Sequence, residues 1–326
     1  MSLKILQKKT SDLSDNDKNG IISLFYEVFL LNKNINWFDN IVNNTPNGYA
    51  YHTIMYDNDD IVGSYTVIPF YYNFFEKKTI FGLSLDTMIK KEYRGRPRFN
   101  VINMAKKTYD WIASEGVSLV FGFPNDNIYL LREKRLKWVD IGVLNYYIFP
   151  INIENIVKFD FFKRILKYLS NLIIYYNWIG IKLSLLKREK TYKPPISKVT
   201  SDLFDKYRYE NFQGKYKKIT THGGFFTYTL AKVNGVNIAF IIDFSPYNNK
   251  VIENACNSLL KNHKNEVDAI LYIGSLEFTP SNMFKVPRFF EPKKIYMSGK
   301  ILTSDIDERV FQINNWSVNL SNYDVV

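Results

Sequence analysis

Cysteine is almost absent from this 326-residue chain: Cys256 stands alone, so no internal disulfide can form and a reducing cytoplasm is the expected setting. Histidine is scarce too. His52, His222 and His263 are scattered and have no cysteine partners, so no zinc cluster and no metal are expected. The opening Met1-Ser2-Leu3-Lys4 lacks the apolar core of a signal peptide. Long apolar runs are missing as well. The best candidate, within 159–190, is uncharged only over 168–181, short of the roughly 20 residues that span a bilayer. A packed helix or helical hairpin is the expectation there, with a helix lying in a membrane interface as the alternative and no stable insertion.

What is abundant is apolar and basic. Hydrophobic residues make up 46% and aromatics 17%, which fits packed globular structure rather than disorder. The length is generous for one core and comfortable for two. Net charge is +11, from 43 basic and 32 acidic residues, which favours acidic small ligands, nucleic acid or an anionic membrane surface. Lysines that only keep the surface solvated are the plain alternative.

Periodicity predicts a helical first thirty residues, capped at Asp12 or Ser14, with Ile21, Ile22, Leu24, Phe25, Val28 and Phe29 on one face. Tyr49–Tyr56 and Ile61–Phe70 read as an antiparallel pair, and Ile80–Lys90 as a strand. Phe99, Ile102, Ala105, Tyr109 and Ile112 lie on one helical face that ends at Gly116. Strands are expected at Val117–Phe123 and Val139–Phe149, around a helix at Ile128–Leu136. After the Tyr192-Lys193-Pro194-Pro195 linker, the order hairpin, helix, strand, short segment, strand recurs. The hairpin turns at Asn234-Gly235, the helix is Val251–Leu260, and the strands are Ala269–Gly274 and Lys294–Ile301.

The richest stretch is Leu85-Asp86-Thr87-Met88-Ile89 followed by Tyr93-Arg94-Gly95-Arg96-Pro97-Arg98-Phe99. A strand that feeds an Arg/Gly loop and then a helix directs unpaired N–H groups and a helix dipole at the loop, an arrangement suited to phosphate. Arg94, Arg96 and Arg98 add charge-assisted donors. In the second copy, Phe244–Asn249 occupies the same place without arginine or glycine, so no cofactor is expected there.

This order and spacing resemble the GNAT acyltransferase superfamily, whose members hold acyl-CoA pyrophosphate on such a loop. Arg94 fits the first position of the family's loop, while Pro97 and Phe99 stand where its two glycines are expected. Pro97 therefore lacks one backbone donor, although it suits a first helical position. Trp37, Pro46-Asn47-Gly48, Ile61-Val62-Gly63-Ser64 and Gly122-Phe123-Pro124-Asn125 extend the resemblance, which covers residues 20–150 well and the rest faintly. The pattern is similar to GNAT-like proteins that N-acylate amino sugars for bacterial surface polysaccharides.

The resemblance implies an α/β (α+β) chain of two GNAT-like halves, each a mixed, largely antiparallel sheet flanked by helices, the second degenerate. It assigns 1–150 to acyl-CoA, 151–193 to a helical connector and 194–326 to the degenerate half, which contributes to the acceptor site. It places Thr87, Met88, Ile89, Arg94, Gly95, Arg96, Pro97, Arg98, Phe99 and Asn125 against acetyl-CoA or a longer or hydroxylated acyl-CoA. The family's thiolate-protonating Tyr falls at Glu133, with Tyr129 one turn earlier as the replacement candidate. Asp86, the one carboxylate in its strand, is the candidate base or anchor for the acceptor amine, and His222 a second candidate base. Trp37, Asp243 and again Asp86 and His222 are candidates for holding a nucleotide-linked amino sugar, with no nucleic acid expected. Two alternatives stay open: a tandem GNAT-like transferase that uses aminoacyl-tRNA to extend peptidoglycan peptides, and a non-enzymatic RNA-binding or membrane-surface protein.

Overall fold

The computed structural model describes residues 3–95, 101–156, 163–184, 190–212, 214–221 and 223–323. Ser14 closes a capping box with Asp17, and helix α1 (Asp15–Phe29) begins there as its sequence dictates. Ahead of it Thr10–Asp12 make a single 3-10 turn, but Leu3–Lys9 are not helical, contrary to expectation. Leu3–Lys9 form strand β1, antiparallel to β2 (Tyr51–Asp57) from Leu3↔Asp57 to Lys9↔Tyr51. That ladder satisfies backbone groups that a short, uncapped helical turn would leave open.

The chain divides into two units. Met1–Gly142, Pro195–Asn211 and Ile295–Asn315 make the first; Val143–Pro194, Phe212–Lys294 and Trp316–Val326 make the second. In the first, β1 and β2 are followed across the sheet by β3 (Asp60–Phe74), β4 (Lys77–Ile89) and β5 (Val117–Gly122). Strand Tyr296–Ile301 comes next and Val139–Val143 lies beyond it. The pairings from β1 to β4 are antiparallel, whereas β4 and β5 run parallel. The short helix α2 (Ile35–Phe38) follows α1, and helix α3 (Val101–Ser114) makes the β4-to-β5 crossover. α3 lays Met104, Ala105, Tyr109 and Ile112 on a core that includes Tyr51, Val62, Tyr65 and Val67. Gly116 ends it at φ +88, as the sequence predicts. Helix α4 (Asp126–Leu136) follows β5 and is capped by Asn125.

The second unit's sheet runs Phe284–Lys285, Asn145–Pro150, Ala269–Gly274, Val236–Ser245, Gly224–Val233, Lys217–Thr221. Asn234 (φ 51) and Gly235 (φ 90) form the tight turn that their dipeptide predicts. Helix Asn249–His263 buries Val251, Ile252, Ala255, Cys256 and Leu259 against this sheet.

Two strands depart from the sequence reading. The expected Val139–Phe149 strand breaks at Leu144, so that Val139–Val143 belongs to the first sheet and Asn145–Pro150 to the second. Gly142, at φ +155, makes the break possible, and a Cβ there would lie 2.6 Å from Ile313 Cβ. Tyr296–Ile301, expected to finish the second copy, instead pairs antiparallel with β5 from Ser298↔Gly122 to Ile301↔Leu119. Each sheet is therefore completed by a strand from the other half of the sequence. Among the described residues, no helix is long and apolar enough to cross a membrane.

One core group gives the first unit a pH dependence. His52 is fully buried, with Nε2 3.0 Å from Thr10 Oγ1, Nδ1 3.2 Å from Thr66 Oγ1, and its ring stacked on Phe38. Burial disfavours the charged imidazolium and lowers its pKa to about 3. The unfolded chain takes this proton near pH 6.5, and the folded chain only near 3. Its contribution is therefore complete above pH 6.5 and is lost as the pH falls toward 3. Stability measured by urea titration is expected to drop by on the order of 2 kcal/mol between pH 6.5 and 5 from this group. His52→Asn should remove that slope; an unchanged slope in the variant would assign the pH dependence to other groups.

Candidate active site

β3 and β4 keep regular register from Phe74↔Lys77 to Thr66↔Leu85 and then slip, resuming at Ser64↔Met88. Asp86 and Thr87 thus oppose the single residue Tyr65, a β-bulge. Asp86 sits at φ +40, a left-handed conformation that costs a non-glycine residue about 1–3 kcal/mol and is retained where surrounding structure fixes it. Ser64 Oγ, beside the bulge, and Thr87 Oγ1, within it, are buried and have no hydrogen-bond partner among the described residues. Unsatisfied buried hydroxyls next to a strained residue are expected where a ligand or water completes the structure.

On its other edge β4 pairs with β5 from Ile80↔Val117 only as far as Leu83↔Phe121. β4 then runs on to Ile89, held by β3, while β5 continues beside Tyr296–Ile301. A fork opens between the two parallel strands. The edge of β4 past Leu83 presents backbone donors and acceptors that an extended ligand can pair with, as an added strand would. At the mouth of the fork, Lys91–Tyr93 form a short turn, Arg94 Nε donates to Ile89 O at 3.0 Å, and Gly95 adopts φ +80. The exposed Arg94 is thereby tied to the end of β4. Arg96, Pro97, Arg98 and Phe99 lie outside the described residues, as does His222.

The bulge brings together several residues that the sequence singles out. Asp86 and Met88 line a small cavity with Thr66, Phe25, Phe38 and Trp37. Trp37 is half-buried on α2, which Asn34 caps, and its ring lies 4.6 Å from that of Phe25. Asn125, the expected cofactor-side residue, serves as the α4 N-cap, its Oδ1 accepting from Ile128 N at 3.3 Å. Tyr129 donates its hydroxyl to Asp140 Oδ2 at 2.5 Å, and that bond pushes its pKa up to about 12. Asp243 belongs to the second unit and is not part of this group. Among the described residues, no group of His, Cys, Asp and Glu side chains is placed to hold a metal ion.

A polar network that the sequence reading missed lies at the closed end of the fork. Arg132 on α4 is 5% exposed; its Nη2 donates to Ser84 Oγ at 2.8 Å, and its guanidinium lies 4.3 Å above the Trp138 ring. Ser84 Oγ donates to Tyr65 OH at 3.0 Å, Tyr65 and Tyr109 hydroxyls are 3.0 Å apart, and Trp138 Nε1 donates to Tyr109 OH at 2.9 Å. The available signal was spacing: Ile128, Arg132 and Leu136 share one helical face, which puts a cation in an apolar stripe.

The second unit repeats this design with its fork filled. Thr227↔Asp243 and Tyr228↔Ile241 leave Ile242 as the bulged residue, and the parallel ladder to Ala269–Gly274 ends at Ile241↔Tyr272. Into the opening comes the segment around Val318 and Asn319. Ser275 N donates to Val318 O at 2.8 Å, Gly274 bridges to Asn319, and Asn319 Nδ2 donates to Asp243 Oδ1 at 2.8 Å. The following helix starts after only Pro246–Asn248, and Asn248 caps it by accepting from Val251 N at 3.0 Å. Buried Glu253, which accepts from Asn249 and the Ser281 hydroxyl, puts a carboxylate where phosphate would have to lie.

No family model and no curated protein matches this sequence. Solved structures match its fold. An Enterococcus faecalis V583 protein of unknown function, a probable N-acyltransferase, aligns with a TM-score of 0.59 at 12% identity, over 92% of this chain and 73% of its own. A GCN5-related N-acetyltransferase from Anabaena variabilis ATCC 29413 aligns at 0.58 and 12% identity, over 91% and 73%. Another, from Kribbella flavida, gives 0.57 at 9% identity, over 92% and 71%. The chain thus has the GNAT fold: mixed α/β, with two helix-flanked mixed sheets, as the sequence resemblance implies.

With one open fork and one filled, titration calorimetry is expected to find one CoA bound per chain. Two sites of comparable affinity would mean that the Val318–Asn319 segment does not occupy the second fork in solution.

Proposed function

We propose that this protein is an acyl-CoA-dependent N-acyltransferase that acts in the cytoplasm on the amine of a nucleotide-linked amino sugar. The acyl donor in this reading is acetyl-CoA or a longer or hydroxylated acyl-CoA. The observation that carries it is the β4 bulge: one strand offers a free backbone edge to a thioester arm and, at the same residues, a carboxylate beside an aromatic cavity. An arm lying along that edge keeps its phosphates near Arg94, where a cation suits them. Its thioester lies deeper in the fork, between the bulge and the vertex where the β4–β5 ladder ends.

Asp86 is the acceptor-side group. Asp86 lines the cavity with Trp37, whose ring face suits a sugar or an ammonium group. An amine held there loses its proton to Asp86 as the new C–N bond forms. The likeness to GCN5-related N-acetyltransferases supports the reaction class. The amino-sugar acceptor rests on the Trp37 and Pro46-Asn47-Gly48 pattern and on the net positive charge, which suits a nucleotide diphosphate.

Release of free CoA from acetyl-CoA in the presence of a panel of nucleotide-linked amino sugars tests this reading. Asp86→Asn is expected to lower kcat by roughly 10²–10⁴-fold, the range for lost acid–base catalysis, with CoA affinity little changed. Arg94→Ala should raise KM for acyl-CoA far more than KM for the acceptor. A folded Asp86→Asn variant with near-normal turnover would make Asp86 structural, and equal effects of Arg94→Ala on both substrates would remove the loop from the cofactor site.

A further inference from the structure

Arg132 is a buried cation that no carboxylate answers among the described residues. One hydroxyl, that of Ser84, and one ring face, that of Trp138, are its partners, and its Nε has none. A guanidinium carries five donors and stays charged at any working pH. Burial on these terms is costly unless a counter-charge arrives from elsewhere.

Gly122 shows where that counter-charge belongs. A Cβ at Gly122 would lie 2.9 Å from Arg132 Nη1 and 3.2 Å from Ser84 O, so the guanidinium abuts the vertex where the β4–β5 ladder ends. Successive strand residues point to opposite faces. Arg132 reaches Tyr65 through Ser84, whereas Asp86 lines the cavity with Thr66. Tyr65 and Thr66 are successive on β3, so the Arg132 network and the cavity that Asp86 helps to line lie on opposite faces of the sheet. An extended arm that pairs with β4 from Ile89 to Ser84 covers about 17 Å and ends at this vertex. In an acyl-CoA whose phosphates sit near Arg94, that end is the thioester sulfur.

We infer that Arg132 is a catalytic residue that stabilises the departing CoA thiolate, an inference that rests on the fork being the acyl-CoA site. The acceptor nitrogen forms the C–N bond from one face and its proton passes to Asp86. The C–S bond breaks, its electron pair stays on sulfur, and the thiolate is held against the guanidinium until it takes a proton from solvent on release. No acidic side chain is needed for departure, which is consistent with Tyr129 donating its hydroxyl to Asp140. Among the described residues, the groups of this network are uncharged: Ser84 from β4 and Trp138 after α4 touch the guanidinium, Tyr65 from β3 bonds to Ser84, and Tyr109 from α3, its phenol pKa raised well above the ordinary value by burial, bonds to Trp138. The charge on Arg132 is thus unopposed at this point.

The test needs no acceptor. CoA itself is bound to the full-length protein at saturation, confirmed by calorimetry, and the ultraviolet absorbance of its thiolate is followed against pH. The bound thiol is expected to ionise at least tenfold more readily than free CoA. Arg132→Met should return it to the free value, and Arg132→Lys should keep part of the shift. Should Arg132→Met fail to fold, the wild type still decides. Its affinity for CoA should rise with pH relative to a desulfo analogue, because only CoA gains the thiolate. A bound thiol that titrates like free CoA, or a shift that survives in Arg132→Met, overturns the role of Arg132. Absence of any CoA binding overturns the acyl-CoA reading itself and this inference with it.

Discussion

Backbone groups on a strand edge need partners, and among the described residues no strand pairs with β4 past Leu83 on the β5 side to supply them. Most of what sets this molecule's chemistry follows from that local shortfall. β3 holds the opposite edge of β4 through Ile89, so the strand cannot fold away to satisfy itself. The bulge at Asp86 and Thr87 adjusts the register there, and Asp86 and Met88 line the cavity with residues of α1 and α2. Rigid pairing on one side and open pairing on the other make the edge a preformed template rather than a flexible loop, which lowers the ordering cost of whatever binds.

The two units meet the same shortfall differently. In the second, the chain's own Val318–Asn319 segment supplies the missing partners, with the Asn319 amide reaching Asp243. The same architecture can thus leave its fork open or close it by self-pairing. Asp86 is a bulged residue and lines a cavity with Trp37, whereas Asp243, next to the bulged Ile242, is paired with Thr227 and accepts from Asn319.

Local rules made much of this legible in the sequence. The Ser14 capping box, the Asn234-Gly235 turn, the Gly116 stop and the α3 face rest on interactions within a few residues, and each came out as its pattern implies. Trp37 and Asp86, assigned by the resemblance to the acceptor, and Met88, assigned to the cofactor, line one cavity because α2 and β4 carry them. Two features escaped for opposite reasons. The Tyr296–Ile301 pairing with β5 joins residues remote in sequence, and no local pattern records which of several apolar strands is the partner. Arg132 was visible as a cation on an apolar helical face, but its meaning depends on Gly122 and Ser84, which only the folded sheet brings to it.

The exchanged strand also sets a clock. During synthesis β5 emerges long before the strand that lies beside it, since Gly122 and Ser298 are 298 − 122 = 176 residues apart. At 5–20 residues per second that interval is roughly 9–35 s. Throughout it the nascent sheet carries an open β5 edge built from Leu119, Val120 and Phe121, a ready template for pairing with other chains. The fork's second wall is fixed only when Tyr296–Ile301 arrives, long after β4 and β5 have been made.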